Sequence, residues 1–429
     1  MLTLVILVPY LSFITGASLI SLFLRKKGPE AGEGKYYKLA KDFADLAAFN
    51  KSLPLALGVV PMLSAVFCYA QLLHLSGSSV PGYLLLSLIL FLVAAGLLSL
   101  YKHSFHFTDL FTYLGKEEIK SEEYKREIAS YKFSMGGMFA STGFYGVIFL
   151  LVATYIFVGA IQLASQTDKV AEANDFLLLL FSFDTITYYI QFLFLAITLA
   201  SLVMLYYYFR PSSEQKKLVS EEYAEYVKKF SLSTGLVSML IIPIFLVANI
   251  LSKSDVALTG SIFFAGIFVF FLLVMLSNLF YLMLRNNHTK HITSATFLML
   301  LFLVVFVMKD QFAFNTATKD QYIQLVENYE IKHAEFLAEF GLGGEVISGA
   351  DIYNGKCVAC HQFDKKVVGP PYNETLPKYE GDVDKLANFI LNPVKINPEY
   401  PAMPNQGLKP AEAKAVAEYI IQTYQPEAK

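Results

Sequence analysis

The amino-acid sequence predicts an all-α protein: an eight-helix transmembrane bundle followed by a small all-α domain of about 85 residues. Three observations predict it. Hydrophobic residues make up 55% of 429 positions, too many for an ordinary soluble chain. The apolar runs exceed the length that crosses a hydrocarbon core. The last stretch is more polar and closes on an amphipathic pattern opened by Lys409-Pro410-Ala411-Glu412, with proline near the first turn.

Taken in order, uncharged runs of roughly 17 to 25 apolar residues fall near 2–24, 53–76, 82–101, 138–165, 182–209, 233–252, 259–284 and 292–308. The fifth lies within a 34-residue apolar stretch, Phe176 to Phe209, about 50 Å as a helix and longer than the core requires. Asp184, its lone carboxylate, therefore falls either in the outer interfacial zone or in a functional pocket. These spans define a transmembrane domain over 1–308, a linker with a helix over 309–344 and a final domain over 345–429.

Basic residues set the expected orientation, because Lys and Arg are retained on the cytoplasmic side of short loops. The loops after the first, third, fifth and seventh spans carry twenty Lys and Arg, whereas the three loops between them hold only Lys169 and Lys253. An even number of spans places both termini and the final domain on the outer, periplasmic side of a bacterial inner membrane. The N-terminus has no basic region before its apolar run, and its charges begin at Arg25, which reads as an outward anchor and not a cleaved signal. The linker is expected to carry a helix through Tyr322–Val326 and Phe336-Leu337, with Gly341-Leu342-Gly343-Gly344 as a hinge.

Cys357-Val358-Ala359-Cys360-His361 is the most specific motif. Two thiols at that spacing can form thioethers with both vinyl groups of a haem while the next residue supplies an axial imidazole. Five residues alone also fit a CxxC metal or redox site. The remaining cysteine, Cys68 in the second span, reads as a small buried side chain.

Around this motif the last domain resembles a class I cytochrome c. Gly349-Ala350-Asp351-Ile352-Tyr353 leads to Cys357, Gly369-Pro370-Pro371 follows, then Ala402-Met403-Pro404, then the closing helix with Val416, Tyr419, Ile420 and Tyr424. The resemblance implies one covalent haem c held by Cys357 and Cys360, with His361 and Met403 as iron ligands. It further implies that the Pro370 carbonyl accepts the other ring proton of His361. Met403 lies 42 residues beyond His361, and no second methionine in the domain competes with it. Methionine opposite histidine raises the potential, which suits a carrier feeding a terminal acceptor.

The helical part is less explicit. None of its histidines lies mid-span: His74 is at an outer end, while His103, His106, His288 and His291 form two i, i+3 pairs at the inner surface. His333 falls in the linker. Gln71, His74, Asp184, Tyr188 and Gln191 gather near outer ends as a candidate quinone site. The first three spans are similar to subunit I of cytochrome bd-type quinol oxidases in Tyr36-Tyr37-Lys38-Leu39-Ala40 and in Leu57-Gly58-Val59-Val60-Pro61 entering a helix with Gln71. They depart from it in lacking a histidine in the first or fifth helix and a long outer quinol loop.

These readings imply a membrane-anchored carrier of single electrons in a respiratory chain, between a quinol-oxidising module and an acceptor such as a terminal oxidase. Its expected partners are other respiratory-complex subunits, with no nucleic acid and no catalytic residue assigned. The alternative is a quinol-oxidising or bd-like oxidase subunit with its own quinone or haem b site; a third is a membrane scaffold with a redox-sensing cytochrome.

Overall fold

A computed structural model describes residues 2–31, 34–48, 52–73, 79–114, 121–165, 180–253, 257–340, 348–379 and 382–424. Helix is the dominant regular structure, and the described residues form no strand. The chain divides into two compact units, Met1–Leu325 and Val326–Lys429.

In the first unit, α1 spans Leu2–Ala31, α2 Gly34–Ala47, α3 Val60–Leu73, α4 Val80–Leu114 and α5 Glu122–Ala164. They are followed by α6 Phe183–Phe209, α7 Glu221–Leu251, α8 Gly260–Arg285, α9 Ile292–Ala317 and α10 Lys319–Glu339, of which the residues from Val326 onward belong to the second unit. Eight of these helices are long and apolar enough to cross a membrane: α1, α3 through its entry at Pro54, and α4 to α9. Their surface is inverted relative to a water-soluble bundle. Phe264 and Ile267 on α8 are 75% and 70% exposed, whereas Ser12, Gln191 and Thr198 are fully buried. Apolar groups turned outward and polar groups turned inward are what a hydrocarbon solvent selects. The chain is a multi-pass membrane protein.

The main packing partners are α4 with α5, α6 with α7, α1 with α6, and α8 with α9. Gly16 allows α1 to touch α6, since a Cβ there would sit 2.0 Å from the Ala196 carbonyl oxygen. The basic stretch after the first span is not a plain linker. It forms the amphipathic α2, which buries Leu39, Ala40 and Phe43 while its lysines stay outside.

Two further features differ from the sequence reading. Cys68 is exposed on α3 and faces outward, not into the bundle. Helix α9 runs past Met308 to Ala317 with Lys309 only 1% exposed, because that ammonium finds partners inside the bundle.

In the second unit, α11 is the turn Gly349–Ile352, widening into a π-turn over Tyr353–Cys357. It is followed by α12 Tyr372–Thr375, α13 Val383–Leu391 and α14 Pro410–Thr423. Ser348 caps α11 by accepting from the Asp351 N–H at 3.1 Å. Pro410 opens α14, and the Glu412 carboxylate accepts the Lys409 N–H at 2.7 Å. Helices α11 and α14 cross closely at Gly349, where a Cβ would lie 2.2 Å from the Ala415 carbonyl oxygen. Tyr353 packs on Tyr419 at 5.5 Å. The core between them is Leu386, Ile390, Ala413, Val416 and Ile420. Gly341–Gly344, the hinge expected from sequence, lies outside the described residues.

Candidate functional site

The π-turn delivers the chain to Cys357. Its i→i−5 bond, Val358 N–H to Tyr353 carbonyl at 2.9 Å, ends the helix. The Cys360 and His361 N–H groups both return to the Cys357 carbonyl, at 3.1 and 2.9 Å. This tight turn directs both cysteines and the histidine towards one cleft, lined further by Pro370, Met403, Leu386 and Ile420. Cys357 is 7% exposed, and burial pushes its thiol above the ordinary range.

His361 is held from three directions. Its Nδ1 lies 2.9 Å from the Pro370 carbonyl oxygen, an acceptor only, so Nδ1 carries the proton and Nε2 keeps its lone pair. Its ring stacks on Tyr372 at 5.3 Å and 25°. At Gly369 a Cβ would meet the imidazole at 2.2 Å, so glycine is what lets the loop pass. That loop is anchored by Gly369 N–H to the Cys360 carbonyl at 2.8 Å and Tyr372 N–H to the Gln362 carbonyl at 3.0 Å. Burial also raises the Tyr372 phenol, which stays neutral.

Met403 is half-buried on a loop without helix. Three bonds hold that loop: Lys356 Nζ donates to the Gln406 carbonyl at 3.2 Å, Asn405 Nδ2 to the Leu391 carbonyl at 3.0 Å, and Gly407 N–H to Asn405 Oδ1 at 2.8 Å. Gly407 takes φ +65°, which glycine adopts without strain. The cleft thus offers two thiols, an imidazole with one oriented lone pair and a thioether, among apolar walls. The donor set and the cradle fit a covalently bound haem.

Of the residues expected near the outer helix ends, three share a helix. Asp184, Tyr188 and Gln191 are all buried on one face of α6, at 4%, 9% and 0% exposure. Gln71 is exposed on α3, and His74 lies outside the described residues. The two i, i+3 histidine pairs lie at 6.4 Å (His103 with His106) and 5.5 Å (His288 with His291), and His106 meets Asp45 at 3.1 Å. Among the described residues no group of three or more metal-type donors assembles.

Sequence reasoning missed a second set of buried polar groups. Lys309 Nζ donates to Asp310 Oδ1 at 2.6 Å and faces Asn249 Oδ1 at 3.4 Å, while the Tyr188 hydroxyl donates to the other Asp310 oxygen. Lys253 donates to Gln162 Oε1 at 2.6 Å, and burial lowers its ammonium to about 8. At the opposite ends of α6 and α7, the hydroxyls of Tyr208 and Tyr223 both donate to Asp42 Oδ2, the first at 2.7 Å. The available signal was the charges at 309 and 310 directly after an apolar run; their further partners, Asn249 and Tyr188, lie on other helices.

Residues 344–420 match the family described as "Cytochrome C oxidase, cbb3-type, subunit III". The chain is 40% identical over 78 residues to cytochrome c-551 of Pseudomonas denitrificans, covering 17% of this chain and 95% of that one. It is 36% identical over 78 residues to cytochrome c-551 of Azotobacter vinelandii, 17% and 95%. It is also 32% identical over 91 residues to cytochrome c-552 of Hydrogenobacter thermophilus, 20% and 91%. No solved structure matches significantly.

Proposed function

Because this chain belongs, through its C-terminal unit, to the cytochromes c, we propose that it is a membrane-anchored mono-haem cytochrome passing single electrons along a respiratory chain. The observation that carries this reading is the 2.9 Å contact of His361 Nδ1 with the Pro370 carbonyl, in a cleft that Cys357, Cys360 and Met403 also line.

Bound haem supplies reversible one-electron chemistry at iron. In this reading Cys357 and Cys360 hold the macrocycle through thioethers, and His361 Nε2 and Met403 Sδ bind the iron. The Pro370 carbonyl keeps the imidazole in one tautomer and raises its basicity. Leu386, Ile390 and Ile420 exclude water, which disfavours the more charged oxidised centre. The distribution of Lys and Arg among the loops supports a haem unit on the periplasmic side of the inner membrane. Donor and acceptor would be a quinol-oxidising module and a terminal oxidase.

Intact-mass measurement of the full chain is expected to show the mass of one haem, with a c-type spectrum alone. Met403→Ala is expected to keep the covalent haem and lower the midpoint potential in a redox titration. An unmodified polypeptide mass, or an unchanged potential in Met403→Ala, refutes the assignment.

The burial of Asp184, Tyr188 and Gln191 on one face of α6 favours a second reading, a quinone site in the helical unit that would also draw on Gln71 and His74. It requires quinol-dependent haem reduction by the purified protein that Asp184→Asn abolishes.

A further inference from the structure

Polar side chains buried in a membrane bundle are expensive, and those without a protein partner most of all. In the helical unit they are not scattered. Along α6, Asp184, Tyr188, Gln191, Thr198, Ser201 and Tyr208 are each at most 9% exposed. From Asp184 to Tyr208 this row rises about 36 Å, the depth of a bilayer core with its margins.

The gaps in the row are filled from neighbouring helices. Gly16 of α1 abuts Ala196, which sets Ser12 and Thr15, both fully buried, beside the interval between Gln191 and Thr198. A Cβ on Gly235 of α7 would lie 3.2 Å from Ser201 Cβ. Helix α7 runs antiparallel to α6, so Ser231, one turn before Gly235 and fully buried, lies level with the interval between Ser201 and Tyr208.

Most of these groups have no hydrogen-bond partner among the described residues. Both amide atoms of Gln191 and the hydroxyls of Ser12, Thr15, Thr198, Ser201 and Ser231 are unpaired, as is Asn249 Nδ2 beside Lys309. Each end of the row carries a charge-bearing cluster. At one end Lys309, Asp310, Tyr188 and Lys253 gather; at the other, Asp42 accepts from Tyr208 and Tyr223.

Serine and threonine can serve close packing alone, but packing does not account for a fully buried glutamine with four unmet hydrogen-bond sites. Nor does it place a carboxylate at each end. A buried series of hydroxyl and amide groups that both donate and accept, ending in groups that bind and release protons, has the chemistry of a proton relay completed by water.

We propose that the buried polar row along α6, from the Lys309–Asp310 cluster to Asp42, is a transmembrane proton path. A proton arriving at one carboxylate passes along hydrogen bonds between hydroxyls and intervening water, and a proton leaves at the other. No bond other than O–H and N–H is made or broken, and no electron moves.

The test uses the full haem-loaded chain in liposomes containing a pH-sensitive dye, with a potassium diffusion potential set by valinomycin. Proton flux above that of protein-free vesicles is expected, falling to the protein-free level in Gln191→Leu and in Thr198→Val, and retained in Thr198→Ser. Each variant is compared at equal haem content, and Thr198→Val serves if Gln191→Leu fails to fold. Flux equal to that of empty vesicles, flux unchanged by both apolar variants, or flux carried by sodium at constant pH each overturns the proposal.

Discussion

At Asp42 a half-buried carboxylate accepts hydroxyls from two helices remote in sequence. Burial raises its pKa above the ordinary carboxylate value, more than the bonds from Tyr223 and Tyr208 and the nearby Lys38 lower it. A raised folded-state pKa means that folding favours the protonated acid. Its stabilising contribution is therefore complete below the unfolded value and is lost as pH climbs from the ordinary carboxylate range through the raised one. Thermal unfolding of the detergent-solubilised protein is expected to show that decline, and Asp42→Asn to flatten it; an equal slope in the variant rules this out. Nothing in the local sequence around Asp42 announces this burial, because Tyr208 and Tyr223 lie 166 and 181 positions away. His361 is the contrary case. Its neighbours in space, Gly369, Pro370 and Tyr372, are also near in sequence, so the imidazole's setting could be read before the fold was known.

Among elements, α9 separates local from tertiary information. The apolar run stops at Met308 and two adjacent charges follow, so hydropathy places a boundary there. The helix continues because Lys309 and Asp310 neutralise each other and Tyr188, 122 positions earlier, donates to Asp310. Removing one member of a buried pair typically costs about 3–5 kcal/mol, since the other charge is left unpaired, whereas neutral replacement of both costs far less. Lys309→Met is therefore expected to lower the unfolding temperature sharply, and Lys309→Met with Asp310→Asn to recover most of it. Equal losses in the single and double variants argue against a buried pair. Helix α2 shows the same limit: its lysines suggested a loop, and only the packing of Leu39, Ala40 and Phe43 reveals the buried face.

On the scale of the molecule, two compact units with separate cores follow from two solvents. Helices α1 and α3 to α9 turn Phe and Ile outward, while the second unit buries Leu386, Ile390, Val416 and Ile420 in a core of its own. A segment covering Val326–Lys429 is therefore expected to fold by itself as a soluble haem protein with the midpoint potential of the full chain. A segment that expresses without haem, or with a clearly different potential, contradicts this independence.

Local sequence determined the eight-helix architecture, because hydropathy over a span is additive and needs no partner. It likewise determined the cleft around Cys357, Cys360 and His361, whose chemistry is written within fifteen or so consecutive residues. Tertiary structure alone decided which polar groups are buried. It turned Gln71 and Cys68 outward, joined Tyr188 to Asp310, and aligned Gln191, Thr198 and Ser201 with Ser12, Thr15 and Ser231. The physical reason is that one polar residue in an apolar helix has the same local signature whether it faces lipid or the bundle. Its cost and its use follow only from what the neighbouring helices bring to it.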